Sequence, residues 1–323
     1  MTYYLVPLLS RVAHKLGILD NPDGKLKQQR TPVPYLGGVA IYIGFITALA
    51  LVFPFENNVF LLLIGSTLLL FVGLIDDLVA MKPYQKLFGQ IIATFCFLKG
   101  GFYLKEIFLS SHQAIWSSFW LIISAGWILS IINAFNLVDV MDGLATTLAI
   151  AASVSFFAIA LLLDMQTLAL LLAAFIGALC AFLWFNYPSA KMYLGDAGSL
   201  FIGGFLAAIP FMVPWGTYTA YGYYAPIAIL AIPLLEVGTL ILVRSYKRIP
   251  FYQGSPDHFS IYLQHNGWSK PIILGYVVFM SMVLTLAAIV FFFGILTMGY
   301  FVVSMLLFAC LWYIIIFIKK PKK

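Results

Sequence analysis

NAFNLVDVMDGLATTLAIAASVSFFAIALLL, residues 133–163, decides the fold. Its second part, 144–163, is an uncharged apolar run of 20 residues. A bilayer core of about 30 Å needs about 20 such residues in a helix. The run is continuously apolar rather than alternating, which speaks against a membrane strand. The first part is of another kind. Asn136, Asp139 and Asp142 recur every third residue among Leu, Val, Met and Ala. On a helix that spacing stands them on one face. Carboxylates at a membrane boundary are costly unless paired or metal-bound. Two carboxylates and a carboxamide in a row make a hard-oxygen surface suited to Mg²⁺ and to polar groups of a nucleotide.

The apolar pattern repeats along the chain. Ten runs are long enough to cross a bilayer, at roughly 36–55, 59–75, 86–104, 118–137, 144–163, 166–186, 197–213, 222–243, 271–294 and 297–318. A short apolar stub at 3–9 comes before Arg11 and reads as the tail of a shortened first span. It has no basic n-region and no small-residue cleavage site after it, so it does not read as a signal peptide. Of the 323 residues, 63% are apolar and only 9% charged, against about 25% charged in a soluble domain. Mean hydropathy is +1.01. A soluble globule could not cover its surface with so little charge. This excludes a cytosolic enzyme, a secreted disulfide scaffold, a disordered chain and a nucleic-acid binder. The expectation is an all-α, polytopic helical bundle in the lipid bilayer: ten full spans plus the N-terminal stub, one integral-membrane domain over 1–323. Cys96, Cys180 and Cys310 lie inside apolar runs without metal or redox spacing and read as core residues.

Lys and Arg assign the sides. With the 10–35 loop inside and the spans alternating, 16 of the 18 basic residues fall inside, and only Lys99 and Lys105 fall outside. Such an excess marks the cytoplasmic side. The net charge of +6 therefore reads as topology. The carboxyl terminus, with its KKPKK tail, is expected in the cytoplasm.

Four polar segments then lie at cytoplasmic helix ends: GLIDDL at 73–78, the 133–145 block, NYPSAKMYLGDAGSL at 186–200 and YQGSPDHFSIYLQHNGW at 252–268. Asp76 and Asp77 end a span. Adjacent helical residues diverge by about 100°, so both reach one site only near a helix end. Asp196 stands between two glycines before a span, and the helix N-terminus that follows favours anions. With Asn186, Lys191 and Tyr193 it reads as a phosphate and metal corner. His258 follows Pro256 and Asp257 and could donate to a phosphate, with Arg244, Lys247 and Arg248 as further cations. His265 reads as a solvated loop residue. Glu236 lies about two turns inside a span and calls for a basic or amide partner.

These blocks, with LGILDNPDGKLKQQRTPVPYLGGVAIY at 16–42, resemble in order and spacing the polyprenyl-phosphate N-acetylhexosamine-1-phosphate transferases of glycosyltransferase family 4. The resemblance runs from about Gly17 to about Leu263. It implies a bacterial enzyme of the cytoplasmic (inner) membrane, multi-pass, with its active site on the cytoplasmic face. It implies transfer of GlcNAc-1-phosphate, or another N-acetylhexosamine 1-phosphate, from a UDP-N-acetylhexosamine to undecaprenyl phosphate. The products are a lipid-linked sugar diphosphate and UMP, at the start of cell-envelope polysaccharide synthesis such as that of lipopolysaccharide or teichoic acid. Mg²⁺ is the expected cofactor, with Mn²⁺ as a substitute. A homodimer is the oligomer the muramoyl branch brings to mind.

Residue by residue, Asp196 resembles the main Mg²⁺ ligand and Asn136 a second metal contact. Asp76 and Asp77 resemble the acidic pair facing the lipid phosphate and pyrophosphate, with Asp77 as base or orienter. Lys86, Asp139, Asp142 and His258 join them as catalytic residues. Arg30, Asn186, Lys191 and Tyr193 are expected to bind substrate, Tyr193 by stacking on uracil. Val140 stands where the family usually has Gly. Ser260 and Ile261 stand where further histidines are usual, which favours the GlcNAc branch over the phospho-MurNAc-pentapeptide branch. Another UDP-amino sugar is the near alternative. An ion-coupled transporter is the remote one, since transporters place coupling acids near the midplane of an internal repeat.

Overall fold

The computed structural model describes residues 1–20, 32–53, 57–104, 113–250 and 255–317. Arg30 and the lysines of the carboxyl-terminal tail lie outside the described residues. The chain is an all-α, polytopic membrane protein with, among the described residues, one two-stranded antiparallel sheet. Among the described residues, seven helices are long and apolar enough to cross a membrane. They are α3 (Asn57–Val79), α5 (Gln113–Val138), α6 (Leu144–Leu162), α7 (Gln166–Asn186), α8 (Gly195–Ala208, continued by a 3₁₀ turn), α12 (Lys270–Phe292) and α13 (Met298–Phe317). An eighth follows if α9 (Ala225–Ile229) and α10 (Ala231–Lys247) form one span, bent by 72°.

The ten-span expectation is therefore corrected, and for local reasons. The run at 36–55 yields α2 (Gly37–Val52), 16 residues long because the chain turns extended at Phe53. At 1.5 Å per residue that helix is about 24 Å long, short of the apolar core. The run at 86–104 yields α4 (Pro83–Lys99), 17 residues, whose first turns carry Lys86 and Gln90. The run at 222–243 is interrupted at Leu230. Conversely, the stub at 3–9 is part of a 15-residue helix, α1 (Thr2–Leu16), ended by Gly17 at φ 72°. With α11 (Phe259–His265) the α-helices among the described residues are complete.

Within the 1–323 domain expected from sequence, the structure forms two compact units, Met1–Val213 and Pro214–Lys323. The first is built around α8, whose residues from Ala197 to Ala208 are all buried. It packs against α2, α3, α5 and α6. Small residues permit this. A Cβ on Gly38 would lie 2.2 Å from the Gly198 nitrogen, and one on Gly73 would lie 2.2 Å from the Asp196 carbonyl oxygen. Close backbone approach between small residues is a main source of helix association in lipid. Phe45, Phe175, Phe201 and Phe205 fill the next layer, with ring centroids 4.2 Å apart for Phe175 and Phe205. Strands β1 (Leu19–Asp20) and β2 (Val33–Pro34) pair antiparallel. The chain then runs along the 193–194 segment: Tyr193 N donates to Pro34 O, Gly37 N to Tyr193 O and Gly38 N to Leu194 O, at 2.9, 3.1 and 2.9 Å. In the second unit α12 packs on α9, α10, α11 and α13. Phe259 of α11 and Tyr276 of α12 both pack on Trp312 of α13.

Gly38→Val is expected to lower the melting temperature in detergent, since overpacking costs about 1–3 kcal/mol. Gly126→Ala, where an added Cβ meets nothing within 4 Å, should melt with the parent protein. Thermal unfolding followed by size-exclusion fluorescence measures both. Equal melting temperatures would show that the backbone contact does not limit α8.

Candidate active site

The first unit gathers its polar residues where α3 and α5 end and α4 and α8 begin. Ala80 leaves α3 at φ 49°. The Asp76 Oδ1 accepts the Met81 N–H at 2.6 Å, closing the turn. Lys82 and Gln85 then cap the start of α4, with Pro83 in its first turn. Lys86 is thereby set one turn into α4. Its ammonium meets three oxygens: Asp76 Oδ2 at 2.9 Å, Asp196 Oδ2 at 2.5 Å and Asn136 Oδ1 at 3.1 Å. Asn136, in turn, donates from Nδ2 to Asp196 Oδ1 at 2.7 Å and to Ser199 Oγ at 3.0 Å. One cation and one amide thus hold both oxygens of Asp196.

Asp77 does something else. Its Oδ1 accepts the Asp196 N–H at 2.8 Å and its Oδ2 the Ala197 N–H at 3.0 Å. The helix N-terminus expected to attract a phosphate already carries an internal carboxylate. Free amides and the helix dipole account for that choice. Asp76 and Asp77 both reach the site because the 100° between them points one at α4 and the other at α8.

The face expected for Asn136, Asp139 and Asp142 on one helix is corrected. The helix α5 ends at Val138, and Asp139 and Asp142 lie in the turn before α6. Gly143 at φ 75° lets the chain reverse there. Asp142 Oδ2 accepts the Ala190 N–H at 3.3 Å. Asp139 accepts no hydrogen bond among the described residues. Burial, and then the charges of Asp196, Asp77 and Asp142, hold its carboxyl well above the usual range. No three His, Cys, Asp or Glu among the described residues form a group that could hold a metal ion by themselves.

Asn186 is buried and works as a clasp. Its Oδ1 accepts from Gly143 N at 3.1 Å and from Thr146 Oγ1 at 2.9 Å, and its Nδ2 donates to Met192 O at 3.0 Å. The expected base-binding amide is thus turned to holding the 187–194 loop on α6. Tyr193 is half-buried, and burial, then Asp142, Asp20 and Asp139, push its phenol up to about 12. Lys191 is exposed. One contact escaped the sequence reading altogether. Gln90 and Asn133 exchange amide hydrogen bonds at 3.2 and 2.8 Å, one turn along from Lys86 and Asn136. Its only signal was two amides in otherwise apolar runs.

In the second unit His258 Nδ1 lies 2.8 Å from Glu236 Oε1, and both side chains are buried. This is the partner that Glu236 called for. The Phe259 N–H reaches Glu236 Oε2 at 3.4 Å. Asp257 pairs with Lys247 and accepts from Tyr262 Oη at 3.2 Å. Burial raises the Asp257 carboxyl, but bonds to Lys247, Ser255 and Tyr262 bring it below its ordinary value. Arg244 Nε donates to Ser255 Oγ at 3.1 Å. His265 is exposed.

Residues 59–213 match the family described as glycosyl transferase family 4. A Bacillus subtilis protein named probable undecaprenyl-phosphate N-acetylglucosaminyl 1-phosphate transferase is 26% identical over 292 residues, covering 88% of this chain and 80% of the relative. A phospho-N-acetylmuramoyl-pentapeptide-transferase of Streptococcus pneumoniae is 32% identical over 215 residues, covering 62% of this chain and 65% of the relative. One of the same name from Bacillus cytotoxicus is 29% identical over 225 residues, covering 64% and 69%. The chain spans just under two thirds of the pneumococcal relative's length.

The Gln90 and Asn133 pair yields a stability test. Asn133→Leu leaves the Gln90 amide stranded among apolar side chains, a loss of about 1–3 kcal/mol. Gln90→Leu with Asn133→Leu removes both partners and should recover part of the melting temperature. A double variant less stable than either single one would refute the pairing.

Proposed function

We propose, on the likeness of residues 59–213 to glycosyl transferase family 4 and of most of the chain to its Bacillus subtilis relative, that the chain transfers GlcNAc-1-phosphate from UDP-GlcNAc to undecaprenyl phosphate, releasing UMP. The observation that carries the reading is the Lys86 ammonium between Asp76, Asn136 and Asp196. With Asp77, Asp139 and Asp142 beside it, the cluster sets five carboxylates against one ammonium. Such a site suits chemistry in which cations bring phosphates together. In this reading the cluster faces the cytoplasm at a bacterial inner membrane, where a phosphate head at the interface meets a soluble nucleotide; the excess of Lys and Arg near the same helix ends supports that side.

The donor set fits Mg²⁺. Its oxygens are hard, its charge is in anionic surplus, and Asp139 lies among like charges without a hydrogen-bonding partner among the described residues. Mg²⁺ takes one or two carboxylates, with waters and substrate phosphates completing its octahedron, so three converging acids are not required. Asp196 and Asn136 would hold it, and Mn²⁺ suits the same oxygens. When bound, the ion supplies Lewis-acid neutralisation of the pyrophosphate.

The chain's own residues do the rest. Asn136 fixes the rotamer of Asp196, and Ser199 accepts from the same Asn136 amide. Asp77 fixes the start of α8 through two main-chain amides, which makes it an orienter in this reading. Lys86 neutralises charge, and His258 donates to a phosphate oxygen. An oxygen of the lipid phosphate forms a bond to the β-phosphorus. The bond from that phosphorus to the bridging oxygen breaks, and UMP leaves with the bridging oxygen and its electron pair. A phosphate monoester has a second pKa near 6, so the nucleophile is largely dianionic without a base. Positioning and charge then dominate, as is usual in phosphoryl transfer.

The muramoyl reading has an observation of its own, the higher identity of the pneumococcal relative over a shorter span. Purified protein with undecaprenyl phosphate, Mg²⁺ and a panel of UDP-sugars, including UDP-MurNAc-pentapeptide, separates the two by UMP release. UDP-GlcNAc is expected to give UMP, and Asp196→Ala to lower turnover about 100-fold or more. Absence of UMP with every amino sugar sinks the transferase reading, and near-normal turnover of Asp196→Ala sinks the metal assignment.

A further inference from the structure

We propose that Glu236 is a positioning residue that holds one proton of the His258 imidazolium on Nδ1 and so leaves Nε2–H as the donor to a phosphate. The inference rests on the transferase reading for its catalytic consequence, and on the second unit alone for its geometry. Three ties fasten residues 255–258 to α10: Arg244 to Ser255, Lys247 to Asp257 and Glu236 to His258. At 100° per residue, positions 236, 244 and 247 lie within about 80° of one another on α10, so one polar stripe makes all three.

The ties are not equivalent. The first two hold Ser255 and Asp257, and the chain would follow α10 on those alone. Only the third reaches an imidazole. Glu236 is fully buried and His258 is 5% exposed. The two Glu236 oxygens lie against His258 Nδ1 at 2.8 Å and the Phe259 N–H at 3.4 Å. A carboxylate oxygen accepts, so the hydrogen of the first contact belongs on Nδ1, and the bond that one ring nitrogen makes determines what the other can do. His258 Nε2 has no partner among the described residues. The imidazole is therefore steered from behind, as in catalytic triads and in carboxylate-bound metal histidines. A buried acid inside a span is costly to keep. Helix packing alone does not call for it, because an apolar residue of similar size would fill the same space.

The test has two readouts. In ¹⁵N-histidine protein in detergent, the His258 signals are assigned by their loss in His258→Gln and thus separated from those of His14, His112 and His265. The wild-type spectrum is expected to show Nδ1 protonated, and Glu236→Gln, which can donate as well as accept, to shift those signals. In the UMP assay, Glu236→Gln is expected to lower kcat about 10–100-fold with KM for the UDP-sugar within about twofold. Glu236→Asp should restore part of kcat. A wild-type His258 with a bare Nδ1 overturns the proposal, and this readout needs no variant of Glu236 to fold. So does an unchanged kcat in Glu236→Gln, or a lowered kcat with unchanged nitrogen signals. Failure of the wild type to release UMP refutes the transferase reading and leaves the nitrogen result standing.

Discussion

The ammonium of Lys86 is the interaction on which the first unit's polar end depends. It sits on α4 and binds α3 through Asp76, α5 through Asn136 and α8 through Asp196. Without it, two carboxylates would face each other where three helices meet. A charge pair removed from water must be well bonded on both sides to be worth its desolvation. Here each partner has further bonds: Asp76 to the Met81 N–H, Asp196 to Asn136. The network is thus both the fastening of four helix ends and the place where chemistry is expected. These two duties compete, because a substrate phosphate recruiting Lys86 must draw it from carboxylates that the helices need.

Asp77 relieves part of that conflict. By taking the first amides of α8, it fixes the helix that carries Asp196 independently of Lys86. The anion-binding capacity of a helix start is spent internally. On the proposed reading, phosphates from outside would then be met by side chains rather than by the dipole of α8. The adjacent pair Asp76 and Asp77 thereby divides into one acid that bonds a cation and one that bonds a backbone.

Much of this was legible in the residues. Continuous apolar runs pointed to an all-α membrane protein, and acids at the ends of apolar runs pointed to the residues that gather around Lys86. Three things were not legible. Hydropathy counts apolar residues, and does not see that α2 stops at Phe53 or that the run at 222–243 bends at Leu230. A three-residue spacing suggests a helix face but cannot show that α5 ends at Val138 and leaves Asp139 and Asp142 in a turn. Nor does residue type say whether an amide faces a ligand or the protein. Asn186 looked like a substrate contact and is a buried clasp. Gln90 and Asn133 are bonded to each other, which nothing in their residue types announces. Glu236 was the reverse case. An acid two turns inside a span demanded a partner, and His258 is there.

The track between 34–38 and 193–194 is drawn entirely by main-chain hydrogen bonds. All residues but proline share the same amide and carbonyl, so these three bonds do not depend on the side chains at 35 and 193, while Asn186 and the glycines at 37 and 38 fix the rest of the path. Tyr35 and Tyr193 can therefore be exchanged for other residues while Asp196 keeps its place. A fold with this arrangement can change what it recognises by substitution in the loop, and leave the phosphate chemistry where it was.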